Sequence, residues 1–200
     1  IHVAFEHKTY RSAGDSLQEE IIPGFKDSTL WSHIIMANGS QVVTTANRVY
    51  LLDSRGNKSL LPVSTNIYSK TFFDATTPNT FYLLFPSGIY YWGNNRLNKC
   101  SSLSFENRIL TGFFVDRDHR AWVAAESKPV MLVNINTGKV DSLTNLPVLV
   151  TNFYQDRHGT IWITTFHGLY KCTESFVTHY DESTGLLHED IRSSGRMRNG

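Results

Sequence analysis

The sequence predicts an all-β chain, and three observations carry that prediction. Aromatic residues make up 12% of the 200 residues, with twelve Phe, nine Tyr and four Trp. Thr, Val, Ile and Asn are also frequent, and aromatic and β-branched side chains suit a pleated, half-buried surface. Turn signals recur evenly, and no stretch shows a sustained helical period with caps.

The same composition excludes several classes. With 40% apolar and 18% charged residues, the chain can build a core and is not a disordered tail. The longest purely apolar run, Phe81 to Phe85, is too short for a membrane-spanning helix. Nineteen basic against eighteen acidic residues leave a net charge of +1, no footprint for nucleic acid or an anionic membrane. Two cysteines, Cys100 and Cys172, are too few for a disulfide framework or a zinc cluster. Whether the two pair is left open. Ile1-His2-Val3-Ala4-Phe5 is not a signal peptide.

A repeat organises the elements. Gly159-Thr160-Ile161-Trp162-Ile163-Thr164-Thr165 has counterparts at 40-residue steps: His119 to Ala125, Asn79 to Phe85 and Gly39 to Thr45. The register needs no insertion. Before each copy lies an apolar stretch: Leu30 to Ile35, Phe72-Phe73, Ile109 to Val115 and Val148 to Tyr154. After each comes a second run: Arg48 to Leu51, Gly88 to Tyr91, Lys128 to Leu132 (the loosest) and Gly168 to Lys171. A variable segment closes the unit, as at Gly138 to Leu143 and Phe176 to Tyr180. Asn38-Gly39, Asp53 to Asn57, Pro86 to Gly88, Asn136 to Gly138 and His158-Gly159 mark the turns.

Four short strands in about forty residues are the mark of a β-propeller blade. An evenly spaced β-sandwich would not keep an ungapped register over four copies. Inner blade strands are covered on both faces and should read as continuous apolar runs, as Ile161-Trp162-Ile163 and Tyr82 to Phe85 do. Thr44-Thr45, Ala124-Ala125 and Thr164-Thr165 end the inner strand in small residues where blades converge; Leu84-Phe85 departs from this. Trp122 and Trp162 are expected in the core between blades. The predicted blades are 28–67, 68–107, 108–147 and 148–187, with partial blades at 1–27 and 188–200. Ile1 to Phe5 shares the phase of Ile161 to Thr165. The chain is therefore read as a segment of a larger ring, because 191–200 is too polar and basic to close one of five blades.

The fullest copy, Asp156-Arg157-His158-Gly159-Thr160-Ile161-Trp162-Ile163-Thr164-Thr165-Phe166-His167-Gly168-Leu169-Tyr170, resembles the two-component regulator propeller repeat, roughly D-x-x-G-x-[IL]-W-[IV]-x-T-x-x-G-[LI]. Asp156, Gly159, Trp162, Thr165, Gly168 and Leu169 stand at its positions. The third copy keeps Asp116-Arg117 and Trp122 but neither glycine. The first keeps Gly39 and Thr45, and the second only Gly88-Ile89. The resemblance implies the periplasmic sensing part of a bacterial, often hybrid, sensor histidine kinase built on seven-bladed rings. Such sensors respond to a glycan or other nutrient-derived ligand and act as homodimers through downstream domains of the same chain. The motif itself is a scaffold: its Asp accepts turn amides and its Gly takes positive φ.

Little catalytic chemistry stands out. No H-E-x-x-H, G-x-S-x-G or phosphate loop occurs, so no metal, cofactor or enzyme activity of this chain is expected. Trp122 to Glu126 gives one W-x-x-x-E, which admits as an alternative a lyase resembling the virginiamycin B type; a protein–protein scaffold is the other. His7 and His167 share a repeat phase and read as polar turn residues. Asp15, Glu19 and Glu20 read as a solvated loop, and Arg192, Arg196 and Arg198 as a solvated tail. Ligand contacts are expected in the turns at 46–48, 86–88, 126–128 and 166–168, with Asn47, Ser87, Glu126 and His167 as candidates, since function concentrates in loops.

Overall fold

The computed structural model describes residues 2–5, 8–13, 16–20, 22, 25, 30–46, 48–64, 70–73, 77–101, 103–105, 108–126, 128–144, 146, 149–173, 177–188 and 190–191. Most of these residues form strands, joined as successive hairpins within each sheet. A three-stranded sheet holds β1 (His2–Phe5), β2 (Lys8–Ala13) and β3 (Ser16–Glu20). The second sheet holds β4 (Leu30–Ile35), β5 (Gln41–Thr45), β6 (Arg48–Leu52) and β7 (Lys58–Ser64). The third holds β8 (Lys70–Phe73), β9 (Phe81–Phe85), β10 (Gly88–Gly93) and β11 (Arg96–Ser101). The fourth holds β12 (Leu110–Val115), β13 (Arg120–Ala125), β14 (Val130–Asn134) and β15 (Val140–Leu143). The fifth holds β16 (Val150–Gln155), β17 (Ile161–Thr165), β18 (Gly168–Cys172) and β19 (Val177–Tyr180), followed by a 3-10 turn at Glu182–Thr184. Within each sheet every strand pairs with its neighbour in sequence, and the paired registers are antiparallel. The all-β class, the four-stranded blades and the 40-residue repeat are thus all present.

Two compact units divide the chain, Ile1–Lys99 and Cys100–Gly200. In the first, Val42, Val49, Leu61, Phe81, Leu83 and Phe85 join the second and third sheets in one core. A smaller cluster sets Ile22 and Phe25 against Val43 and Leu52. In the second unit, Trp122, Val130, Phe153, Ile161, Ile163 and Cys172 bury against one another between the fourth and fifth sheets.

Position within a blade decides burial. The inner strand β9 is buried along its whole length, and β13 at every residue but Arg120. The outermost strand β15 is exposed except at Leu143. Phe85, which departs from the small-residue ending, fills the core and meets Tyr90 edge-on at 5.4 Å.

Three first strands carry the same irregularity. The ladder skips one residue between Leu30 and Ser32, between Leu110 and Gly112, and between Val150 and Asn152. A bulge therefore falls at 31, 111 and 151, the same repeat phase. The β8–β9 pairing is regular. After the second bulge Gly112 lets β12 approach β16: a Cβ there would sit 2.9 Å from the Phe153 ring.

Some expectations need correction. Glu19 and Glu20 lie in β3 rather than in a loop, because they pair with Tyr10 and Thr9. Asp15 and the basic residues Arg192, Arg196 and Arg198 lie outside the described residues. Trp122 is a core residue at 5% exposure, but Trp162 is only half-buried. Phe153 of the fifth sheet covers Trp122, whereas Trp162 meets Tyr180 and the Lys171 ammonium of its own sheet. Cys100 and Cys172 are not joined; burial pushes each thiol up to about 11.

Candidate functional site

Two sets of turns lie at opposite ends of the blade strands. The first joins the second and third strands and contains the sequence candidates. Ser87, in the β9–β10 turn, is exposed, with its hydroxyl 3.2 Å from the Tyr90 hydroxyl. Glu126, after β13, is exposed, and its backbone N–H donates to the Ile109 carbonyl at 2.8 Å. Asn47 and His7 lie outside the described residues.

His167 is the most constrained of these. Its N–H donates to Thr165 Oγ1 at 3.0 Å, and that hydroxyl donates to the Gly168 carbonyl at 2.9 Å. Its own carbonyl lies 2.7 Å from His179 Nε2, and the His179 ring stacks on Tyr170 at 4.3 Å. Asp181 stands 3.7 Å from the other His179 nitrogen. The Ser183 hydroxyl is the main cause that holds the Asp181 carboxyl below its ordinary value. Burial and then Asp181 push the Tyr170 phenol up. Gly168 must be glycine: its φ is +112°, and a Cβ would lie 2.2 Å from the Tyr180 carbonyl oxygen. Among the described residues no hydrogen bond or ion pair joins Glu126 to His167. The turns are braced by side chains such as the Thr45 and Thr165 hydroxyls and by neighbouring carbonyls, and Ser87, Glu126 and His167 remain exposed.

The second set joins the first and second strands, and sequence reasoning did not single it out for binding. Its backbone is repeated faithfully. The residue at phase 39 has positive φ in all four copies: Gly39 at 79°, Asn79 at 61°, His119 at 56° and Gly159 at 86°. Asp116 anchors the third copy. Its Oδ1 accepts the Asp118 and Arg120 amides at 3.0 and 2.9 Å, and its Oδ2 accepts Arg120 Nε and Trp122 Nε1, both at 2.8 Å. Asp156 repeats the pattern with the His158 and Thr160 amides at 2.8 and 3.0 Å and Trp162 Nε1 at 3.1 Å. Burial works to raise the Asp156 pKa, but the Trp162 indole, the two amides and the His158 charge together hold it below the ordinary carboxylate value. The Asp and the Trp of the motif are therefore one hydrogen-bonded unit.

These turns also lash neighbouring sheets together. The Arg117 amide donates to Gln155 Oε1 at 3.0 Å, and its guanidinium to the Arg157 carbonyl at 3.1 Å. In the first unit the Asn38 amide donates to Asn79 Oδ1 at 2.9 Å. Beneath the Arg117–Gln155 clasp lies a cavity of about 420 Å³ between the fourth and fifth sheets. Leu132, Ile161 and Cys172 line its apolar side; Arg117, Asp118 and Arg120 line its polar side. Its location could not be read from single-strand patterns, because it depends on how two sheets face each other. Among the described residues no three His, Cys, Asp or Glu side chains gather where they could hold a metal ion, and no helix is long and apolar enough to cross a membrane.

Residues 142–167 match the family model described as two component regulator propeller, which includes most of the fullest repeat. No curated protein matches the chain. Among solved structures, the extracellular domain of BT3049 from Bacteroides thetaiotaomicron, described as a hybrid two component system, is similar at 12% identity and a TM-score of 0.71. The match covers 98% of this chain and 30% of that one. The extracellular domain of BT4673 from the same organism gives 15% identity and a TM-score of 0.65 over 96% of this chain and 29% of that one. Virginiamycin B lyase from Staphylococcus aureus gives 12% identity and a TM-score of 0.65 over 88% of this chain and 63% of that one. At these identities the likeness is one of propeller fold. The chain spans less than a third of each extracellular domain.

Proposed function

We propose that this chain is part of the ligand-sensing propeller of a two-component sensor, working outside the cytoplasm, in the periplasm. The observation that carries the reading is the regulator-propeller repeat at 142–167, set in a chain that shares its fold with two sensor extracellular domains. In this reading blades 28–67, 68–107, 108–147 and 148–187 are consecutive members of a larger, seven-bladed ring. The ligand is a glycan or another nutrient-derived molecule, met by the turns that carry Asn47, Ser87, Glu126 and His167. The parent protein is a homodimer, and occupancy is passed through its downstream domains to a kinase. A scaffold fold hosts many functions, so the assignment rests on the repeat family and not on the propeller alone.

The test uses the complete extracellular domain of the parent protein. In a thermal-shift screen of oligosaccharides, the ligand should stabilise it saturably without being consumed. Alanine at Ser87, Glu126 and His167 together should weaken that stabilisation; unchanged binding would move the ligand away from these turns. The likeness to virginiamycin B lyase supports a second reading, an elimination enzyme. That reading requires turnover of a streptogramin that chelation abolishes, and a sensor should show none.

A further inference from the structure

We propose that the cavity between the fourth and fifth sheets is a binding site for a small carboxylate with an apolar body. It is separate from the turns assigned above, at the other end of the strands, and it does not depend on the sensor reading. Its volume, about 420 Å³, lies within the range of small-molecule pockets, roughly 300–1,000 Å³. Its lining combines an apolar wall with several polar side chains that can fix a ligand's orientation.

The walls come from the two sheets. Leu132 on β14 and Leu143 on β15 face Ile161 on β17 and Cys172 on β18. None of these offers a strong hydrogen-bond partner, so this wall suits the apolar body of a ligand. The polar side is cationic in a specific way. Arg120 is already matched, since its Nε lies 2.8 Å from Asp116 and an Nη lies 3.0 Å from Asp118. Arg117 has no carboxylate partner among the described residues. One of its N–H groups is held by the Arg157 carbonyl. The rest of its fork has no partner among the described residues, and a guanidinium pairs best with a carboxylate in two-pronged geometry.

The site is also preorganised. Arg117 is pinned at both backbone and side chain by the fifth sheet, through Gln155 and Arg157. Gln155 is in turn fixed, donating from Nε2 to the Gly159 carbonyl at 3.2 Å. Holding the cation in place before binding removes part of the ordering cost that association otherwise carries.

The experiment uses the complete extracellular domain that contains this chain and two matched probes, 3-phenylpropionate and its neutral amide, followed by ligand-observed NMR and thermal shift. The acid should bind saturably and about tenfold or more tighter than the amide, the scale of a lost charge-assisted hydrogen bond. Arg117→Gln should erase that preference, and Arg117→Lys should restore part of it. Thr173→Trp, an exposed position on the cavity lining, should block the site and abolish binding of both probes. Circular dichroism of each variant separates a blocked site from an unfolded one. Equal binding of acid and amide overturns the proposal, as does binding that survives Thr173→Trp or no binding of either probe.

Discussion

The turn at 36–40 and the turn at 116–120 have the same backbone and different chemistry. In the first, Met36 N–H donates to Ser40 and Gly39 N–H donates to Met36, at 2.8 and 2.9 Å. In the second, Asp116 and His119 make the same two bonds at 3.0 and 3.1 Å. Yet Met36 is a buried apolar residue in the core with Val42, while Asp116 is a buried carboxylate that holds Trp122. Asn38 takes over part of the missing carboxylate's work, accepting the Ser40 amide at 3.0 Å. The difference teaches that the blade specifies a backbone turn, which either core packing or a polar bracket can secure. The partner six residues on changes with it: Val42 beside Met36, Trp122 beside Asp116.

The comparison is broken most directly at its anchors. Asp116→Ala should cost about 2–4 kcal/mol, because the Trp122 indole and two amides lose a buried acceptor. Met36→Ala should cost a similar amount, about 2–5 kcal/mol, but as a cavity. Urea unfolding measures both. Only the second should be recovered by Met36→Leu; recovery of the first by Asp116→Leu would mean the bracket is not polar in function.

A double-mutant cycle sharpens the polar case. Asp116→Ala combined with Trp122→Phe should be less damaging than the sum of the singles by about 1–2 kcal/mol. Additive effects would show that the indole bond contributes nothing.

The positive-φ residue tests the backbone they share. Gly39→Ala should destabilise by about 1–2 kcal/mol through conformation alone, because the nearest atom to a new Cβ, Ser54 Cβ, is 3.6 Å away. His119→Gly should move the other way, by about 0.5–1 kcal/mol. A destabilised His119→Gly would assign the imidazole a role that outweighs its strained backbone.

The smallest effect is acid sensitivity. The folded Asp156 pKa lies below the unfolded value of about 3.9. The carboxylate therefore contributes stability that is fully present above about pH 4 and is lost as pH falls through the lower folded value. Asp156→Asn should flatten that acid limb in thermal unfolding between about pH 5 and 2, and leave the neutral-pH slope unaltered.

The sequence was legible where one chain pattern decides one structure. The 40-residue phase placed Val42, Tyr82, Trp122 and Trp162 on inner strands, because strands buried on both faces must be apolar throughout. It was silent where a conformation has several chemical solutions. His119 and Asn79 adopt the conformation of a glycine without being one, so the loss of glycine from the motif did not mean the loss of the turn. The bulges at 31, 111 and 151 leave no residue signature, since the extra residue is Trp once and Thr twice. Trp162 was placed in the core by its phase, but phase cannot say what covers a face. The candidate turns at Ser87, Glu126 and His167 exist as turns, and the cavity lies at the opposite strand ends because it is made by two sheets together.

The hairpin-by-hairpin order of strands within each sheet has a kinetic consequence. Among the described residues no ladder requires distant parts of the chain to meet, so each sheet can zip from its own turns within a short stretch of polypeptide. Within the second unit the seating of one finished sheet on the next, β12 against β16, awaits residues made later. During synthesis from the N-terminus, each new set of forty residues can therefore take shape as it emerges, and within a unit the preceding sheet is already available as its template.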